Sequence, residues 1–455
     1  MTRKPALAVG GGKETKSLPL TAYQESTVRF LVAPDCPDYA KQHQIVSFAT
    51  LIKPSVSERR LNKALRQLVE RHDVLRTSFV RKGDGWRVII READDAKVTV
   101  RDLTHVAEAD IEAAVSEIAD QPYDIDHTPL YDVHLLRFGA GGDAILMRVH
   151  HSITDGYGVL VLSEDLLNLT LGFGVSHHAL QYREFLDLLA KRLPRHEGAP
   201  DKYWKMVARD APKPANFGDT TRLEQVSPER IYVGPGGNYV ERLSGSEYKA
   251  FAAAASHHGA TPYTALTAIL GEVIADMYGA DDIIVQCVMQ RSDPELSNYV
   301  GVHLHHVTLR TRIDDGACIL KRAKFLSQQV YNASQNLSQE TVKKFGQLDL
   351  DLHEKGASRR QFCMHFGTSD GKARSSSFSK AFRLEPGRVL SVGPLKSRQL
   401  RLNTRKYALT SLMPALHNYD GVSEIQFRHD RDQFELAEIK EVAKNFMGKL
   451  KGLCA

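Results

Sequence analysis

Two adjacent histidines carry the residue types best suited to chemistry in this chain. They open the stretch His150-His151-Ser152-Ile153-Thr154-Asp155-Gly156. Imidazole titrates near neutrality, so a neutral ring can accept the proton of an attacking amine or hydroxyl. At a strand end, His150 and His151 point to opposite faces. One can brace the sheet while the other, His151, enters a cleft. Asp155 lies four residues beyond His151 and is placed to hold the loop in shape by an ion pair. Gly156 allows close backbone approach, and its amide could meet a developing oxyanion. From residue frequencies, a chance H-H-x-x-x-D-G in a chain of this length is on the order of one in several hundred.

The flanking sequence supplies the support such a site needs. Ala144 to Val149 is an apolar run and reads as a buried strand. After the polar turn a helical pattern resumes through Val159, Leu162, Leu166 and Leu169. A strand-turn-helix junction of this kind presents a side chain from a rigid base. Upstream, Ser55-Val56-Ser57-Glu58 reads as a capping box, opening a helix to about Arg71 with Leu61, Leu65, Leu68 and Val69 on one face. Strands are expected at 43–52, 74–80, 86–91, 98–103 and 131–138, and a helix at 107–119. The second half reads as a strand at 238–243, helices at 246–257 and 263–277, and strands at 282–289 and 305–313. A long helix at 318–337, strands at 361–367, 409–417 and 423–428, and a closing helix with a 3.6-residue apolar period follow. The segment 369–380, poor in apolar residues, reads as a mobile loop. Strands and helices mix without strict alternation, and hairpins are present. That argues for α+β units with mixed sheets rather than a doubly wound fold.

Other histidine groups are weaker candidates. His177-His178 and His257-His258 read as surface pairs. His303 and His305 would share a strand face, but no carboxylate or cysteine stands close by in sequence, so no metal site is expected. The five cysteines form no C-x-x-C pair and are widely scattered, which fits reduced thiols in a cytoplasmic protein. A formal charge of +5 on 455 residues is too small for a nucleic-acid-binding face. No window reaches the roughly 18 consecutive apolar residues of a membrane span, and the N-terminus lacks the apolar core of a signal peptide. The length suits two domains.

The motif strongly resembles the HHxxxDG signature of condensation-domain acyltransferases, which share the chloramphenicol acetyltransferase fold. The resemblance runs through nearly the whole chain. Leu20-Thr21-x-x-Gln24 is similar to the family's opening motif. Arg71-His72-Asp73-Val74-Leu75-Arg76-Thr77-Ser78-Phe79 resembles its RHxxLRTxF motif. Tyr182-Arg-Glu-Phe185 resembles the segment entering the second lobe, with Tyr203-Trp204 beyond it. Arg291-Ser-Asp-Pro294-Glu295-Leu296 with Val300-Gly301 resembles GRxxPEL…IG. Two stretches depart from the pattern. The usual IGFFVNTLVLR reads VGVHLHHVTLR, with His305 where Asn is common, and Tyr407-Ala408-Leu409-Thr410 stands where F-D-L-T is frequent.

The resemblance implies two chloramphenicol acetyltransferase-like lobes in a V around a central tunnel. It implies a flexible tail (1–16), an N-terminal lobe carrying the signature (17–175), a lobe connection (176–235) and a C-terminal lobe (236–455). His151 is then the catalytic residue, mid-tunnel, with His150, Asp155 and Gly156 completing the motif. Asp155 pairs with Arg291, so the second lobe completes the site, and Arg71 and Arg76 are structural. No cofactor is bound. A carrier protein brings the donor in trans as a phosphopantetheine thioester, and the acceptor is the amine or hydroxyl of a small molecule. Two other readings compete: an acyltransferase using coenzyme A, and an inactive scaffold that recruits partners. Inactive relatives lose the second His or the Gly, and this chain keeps both.

Overall fold

The computed structural model describes residues 14–32, 44–93, 95–121, 125, 129–191, 199–209, 234–289, 294–296, 298–303, 305–313, 316–336, 362–366, 384–402, 407–408 and 410–454. The strands are β1 (Glu14–Pro19), β2 (Ile45–Lys53), β3 (Thr77–Lys82), β4 (Gly85–Arg91), β5 (Thr99–Asp102), β6 (Tyr131–Arg137), β7 (Asp143–His150) and β8 (Gly234–Ser244). They continue as β9 (Asp282–Met289), β10 (His305–Arg312), β11 (Phe362–Phe366), β12 (Val389–Val392), β13 (Leu395–Gln399), β14 (Tyr407–Ala408), β15 (Leu412–Tyr419) and β16 (Val422–Asp430). The helices are α1 (Ala22–Leu31), α2 (Glu58–Arg71), α3 (Ile111–Ala119), α4 (Gly156–Leu171), α5 (Tyr182–Lys191), α6 (Ala199–Ala208), α7 (Gly245–His257), α8 (Pro262–Tyr278), α9 (Ile319–Gln335) and α10 (Leu436–Gly452).

Chain contacts define two units. The first comprises Met1–Arg192, Arg291–His303 and Gly371–Thr404, and the second Leu193–Gln290, Leu304–Asp370 and Arg405–Ala455. The first unit holds a three-stranded antiparallel sheet, β1-β4-β3, and a six-stranded sheet ordered β12-β13-β2-β7-β6-β5. Among the described residues, only β5 and β6 pair in parallel in the larger sheet. Its central strand β7 is buried along its whole length, which explains the unbroken apolar run. Successive side chains go to opposite faces. Ile145, Met147 and Val149 join the core formed with Leu61, Leu65 and Leu68 of α2 and Leu162 and Leu166 of α4. Ala144 and Leu146 join Ile111, Val115 and Ile118 of α3.

The second unit is built on a seven-stranded sheet, β10-β9-β11-β15-β16-β8-β14. It is mixed, because β11 runs parallel to both β9 and β15. One face carries Val285, Cys287, Leu416, Ile425 and Phe427 into a core with α8 and α10, whose Ile439, Val442, Phe446 and Leu450 are buried. Both units are α+β with mixed sheets, as the pattern of elements predicts.

Several expectations change. The capping residue of α2 is Ser57, whose Oγ accepts from Arg60 N at 3.4 Å, not Ser55. The Val56 amide is taken by the Asp143 carboxylate at 2.6 Å, which keeps that residue outside the helix. Residues 74–76, expected as the start of a strand, belong instead to a 3-10 turn, Asp73–Arg76, before β3. Glu14–Lys16 belong to β1, paired with β4, and are not part of a tail; residues 1–13 lie outside the described ones. The linear division at residues 175 and 235 also differs from the contact division, since Arg291–His303 and Gly371–Thr404 cluster with the first unit. The hairpin β12–β13 extends the first unit's sheet by pairing with β2. The expected loop at 369–380 lies outside the described residues.

Candidate active site

The signature begins at the last residue of β7 and ends at the first residue of α4. His150 donates its main-chain N–H to Leu130 O at 2.9 Å and is 1% exposed. Its Nδ1 accepts from Ser152 N at 3.1 Å and lies 2.6 Å from Ser152 Oγ. An acceptor at Nδ1 places the proton of the neutral ring on Nε2. That nitrogen is buried and has no hydrogen-bond partner among the described residues. Burial, with a smaller contribution from His151, pushes the His150 pKa down to about 3. His150 is therefore a neutral brace at working pH.

His151 sits in the turn, half-buried, with its N–H donated to Gln44 O at 2.5 Å. Its ring lies beside Tyr23, with centroids 6.2 Å apart and planes tilted by 43°. Burial is the main cause that pushes the Tyr23 phenol to about 12; a Thr27 hydrogen bond opposes it, and the Asp155 charge adds to it. Ile153 N closes the turn on His150 O at 3.1 Å.

Asp155 is 2% exposed and is the N-cap of α4, its Oδ1 accepting from Gly158 N at 2.8 Å. Its Oδ2 accepts from His303 N at 3.0 Å. The loop-holding role proposed for Asp155 thus involves two main-chain amides. The expected partner Arg291 lies outside the described residues, as do the side chains of His305 and His306. His303 belongs to a stretch that packs with the first unit, so the segment meeting Asp155 is remote in sequence yet part of the same unit. Thr154, fully buried, fastens the same stretch by donating Oγ1–H to Val300 O at 2.6 Å.

Close backbone approach occurs at Gly158, two residues beyond Gly156. A Cβ there would lie 2.1 Å from Val300 O and 2.3 Å from Thr154 Oγ1. Gly156 is the first residue of α4, where a helix amide has no intrahelical acceptor.

The arginine motif lies behind this loop. Arg76 donates Nε–H to Val69 O at 3.1 Å and Nη1–H to Arg91 O at 2.6 Å, tying α2 to β4. Arg71 donates to His177 O and lies 3.5 Å from Asp165 Oδ2. Asp165, 1% exposed on α4, also meets His72 Nε2 at 3.0 Å and His177 Nε2 at 3.4 Å. His177 therefore packs against a buried carboxylate and is not the surface residue its sequence context suggested. His178, His257 and His258 are exposed. Asp73 accepts from Tyr182 N at 3.0 Å, and Phe185 stacks on Tyr299 at 4.0 Å.

Residues that sequence reasoning did not single out are Tyr23, Ser152, Thr154, Gly158 and Asp165. Gln24 entered only as part of a motif. Its pattern, Thr21-x-x-Gln24, is itself a capping-box signal: Thr21 N donates to Gln24 Oε1 at 3.1 Å and Gln24 N to Thr21 Oγ1 at 3.3 Å. Among the described residues no group of three His, Cys, Asp or Glu could hold a metal ion, and no helix is long and apolar enough to cross a membrane. Cys287, Cys318 and Cys454 are free thiols.

Two mixed-sheet α+β units, with an HHxxxDG turn between a central strand and a capped helix, define an acyltransferase-like architecture. The chain belongs to the condensation-domain family, whose model matches residues 15–455. It is 26% identical over 256 residues to tyrocidine synthase 3 of Brevibacillus parabrevis, a match covering 55% of this chain and 4% of that protein. Among solved structures it is similar to SgcC5 of Streptomyces globisporus in complex with (R)-(-)-1-(2-naphthyl)-1,2-ethanediol and sucrose, at 18% identity and a TM-score of 0.73, covering 96% of this chain and 98% of that one. It is also similar to the starter condensation domain of rhizomide synthetase in complex with C8-CoA and Leu-SNAC, at 16% identity and a TM-score of 0.71, covering 96% and 94%.

Proposed function

We propose that the chain is an acyltransferase. It moves an acyl or aminoacyl group from a phosphopantetheine thioester on a carrier protein, supplied in trans, to the amine or hydroxyl of a small acceptor. The observation that carries this reading is the contrast between the two histidines. His150 is sealed and neutral, while His151 is partly exposed on a turn whose amides at residues 151, 152 and 153 are each hydrogen-bonded.

The acceptor's N–H or O–H proton passes to the His151 imidazole as the nucleophile adds to the thioester carbonyl. The Gly156 amide donates to the oxyanion. Collapse breaks the C–S bond, and the thiolate leaves with the proton from His151. Because a thioester is already activated, orientation by the imidazole supplies much of the rate. Asp155 holds the turn, and Arg71 and Arg76 hold the frame behind it. No bound cofactor enters the scheme. The diol bound to SgcC5 supports hydroxyl acceptors beside amines. The C8-CoA bound to the rhizomide domain keeps a coenzyme A donor as the second reading.

The test is turnover of a panel of acyl and aminoacyl N-acetylcysteamine thioesters, carrier-bound thioesters and coenzyme A thioesters with amine and alcohol acceptors. Carrier-bound donors are expected to turn over fastest. His151→Ala is expected to lose on the order of 10²-fold in kcat/KM while keeping the wild-type circular dichroism spectrum. Near wild-type turnover by His151→Ala overturns the role given to His151, and faster turnover of coenzyme A donors favours the second reading.

A further inference from the structure

We infer that Gln24 is a positioning residue for the reaction, acting through the main chain of the signature turn to aim His151; this rests on the proposed role of His151. The turn is held at four main-chain points. His151 N is bonded to Gln44 O, Ser152 N to His150 Nδ1, and Ile153 N to His150 O. The fourth point is the Ser152 carbonyl, which accepts from Gln24 Nε2 at 3.2 Å. Among these bonds, Gln24 provides the one side chain from outside the turn.

Gln24 is 3% exposed and cannot swing. Its Oε1 takes Thr21 N at 3.1 Å, lies 3.2 Å from Thr21 Oγ1 and lies 2.7 Å from Tyr182 Oη. Thr21 N can only donate, so the oxygen of the amide faces it and the NH₂ group faces Ser152. Tyr182 Oη is also 2.8 Å from Pro19 O, and its main-chain N–H is held by Asp73. A chain of fixed groups therefore runs from Asp73 through Tyr182 and Gln24 to the residue after His151. Loss of the last bond frees the carbonyl that sets the backbone angle beside the imidazole, and small misplacement of a reacting group is costly.

The experiment compares Gln24→Met, Gln24→Glu and Tyr182→Phe with the intact protein. Gln24→Met keeps length and volume but removes both bonds. Gln24→Glu keeps an acceptor toward Thr21 and Tyr182 but turns an oxygen toward the Ser152 carbonyl. Two readouts are used. In ¹⁵N-histidine spectra, the His151 imidazole signal is identified by its loss in His151→Ala. It is expected to shift or broaden in Gln24→Met and Gln24→Glu, and to move less, in the same direction, in Tyr182→Phe. In turnover with the thioester panel, Gln24→Met is expected to lose about tenfold in kcat with acceptor KM changed less than twofold. It should add no further loss in the His151→Ala background.

An unchanged His151 signal, rescue by Gln24→Glu, or a full additional loss in the double variant overturns the inference. The spectra need no substrate. If the intact protein turns over no member of the panel, the functional reading fails, and the spectra still decide whether Gln24 aims His151.

Discussion

At the residue scale, the two histidines differ in what the fold does to them. His150 loses its water on folding, and His151 beside it adds a smaller opposition to charge, so its charged form is penalised and its pKa drops to about 3. In the unfolded chain it titrates near 6.5. Above that pH both states hold a neutral ring and no stability is lost. As pH falls below 6.5, the unfolded state binds a proton that the folded state refuses, down to about 3. Stability then decreases by up to about 1.4 kcal/mol for each pH unit. Buried His429, also shifted down by its burial, acts in the same direction. His150→Asn can present an oxygen near the position of Nδ1 and does not titrate. Its melting temperature is expected to fall less steeply than the wild type's between pH 6.5 and 4.5. Parallel slopes would show that His150 is not the neutral brace described. That the two adjacent histidines would take different environments, one sealed and one partly exposed, was legible in the sequence, because strand alternation sends adjacent residues to opposite faces. The Ser152 contact that fixes the tautomer was not, because a serine in a turn carries no signal of what its amide will meet.

At the element scale, α4 shows why a helix that starts at a site can have little freedom. Its cap, Asp155, is buried, and its third residue lies under the Val300 carbonyl. In an open helix, replacing glycine by alanine stabilises by about 0.5–1 kcal/mol, chiefly by reducing the freedom of the unfolded chain. Gly448 in α10 is such a position, exposed and with nothing within 4 Å of an added Cβ. At Gly158 an added Cβ would meet Val300 O, a main-chain atom that cannot move aside alone, and would break the Thr154–Val300 bond. Overpacking of this kind costs about 1–3 kcal/mol or more, so the sign reverses. Urea unfolding is expected to show Gly448→Ala more stable and Gly158→Ala less stable than the intact protein. A stabilised Gly158→Ala would refute the close approach. Element positions were readable wherever the apolar period was strong: 282–289 matches the expected range, and 58–71 follows its amphipathic pattern. The role of Gly158 was hidden because its neighbour is 142 residues away.

At the scale of the molecule, the first unit is composite. Its core includes Leu296, Tyr299 and Val300, all fully buried, and its larger sheet includes β13, which pairs with β2 across more than 340 residues of sequence. Leu400 N reaches Ala49 O at 3.0 Å, and Arg398 meets Glu112 of α3 at 2.9 Å. A linear reading of lobes could not find this. The hairpin β12–β13 is short and only partly buried, and its pairing partner is set by tertiary structure rather than by local pattern. The composite build has a direct consequence. A fragment of residues 1–192 would contain the whole signature, α2, α4 and α5, and four strands of the six-stranded sheet. It would lack the Phe185–Tyr299 stack, the Thr154–Val300 and Asp155–His303 bonds, and the cover that Leu400 gives to the α3 face. Burying several large apolar side chains contributes about 1.5–3 kcal/mol each, and a domain's whole margin is about 5–15 kcal/mol. The missing pieces alone are comparable with that margin. The fragment is expected to melt broadly, without a cooperative transition, and to bind a hydrophobic dye. A cooperative transition within a few degrees of the intact chain would show that the first unit does not depend on the two returning stretches. The signature turn would then owe its rigidity to the N-terminal residues alone.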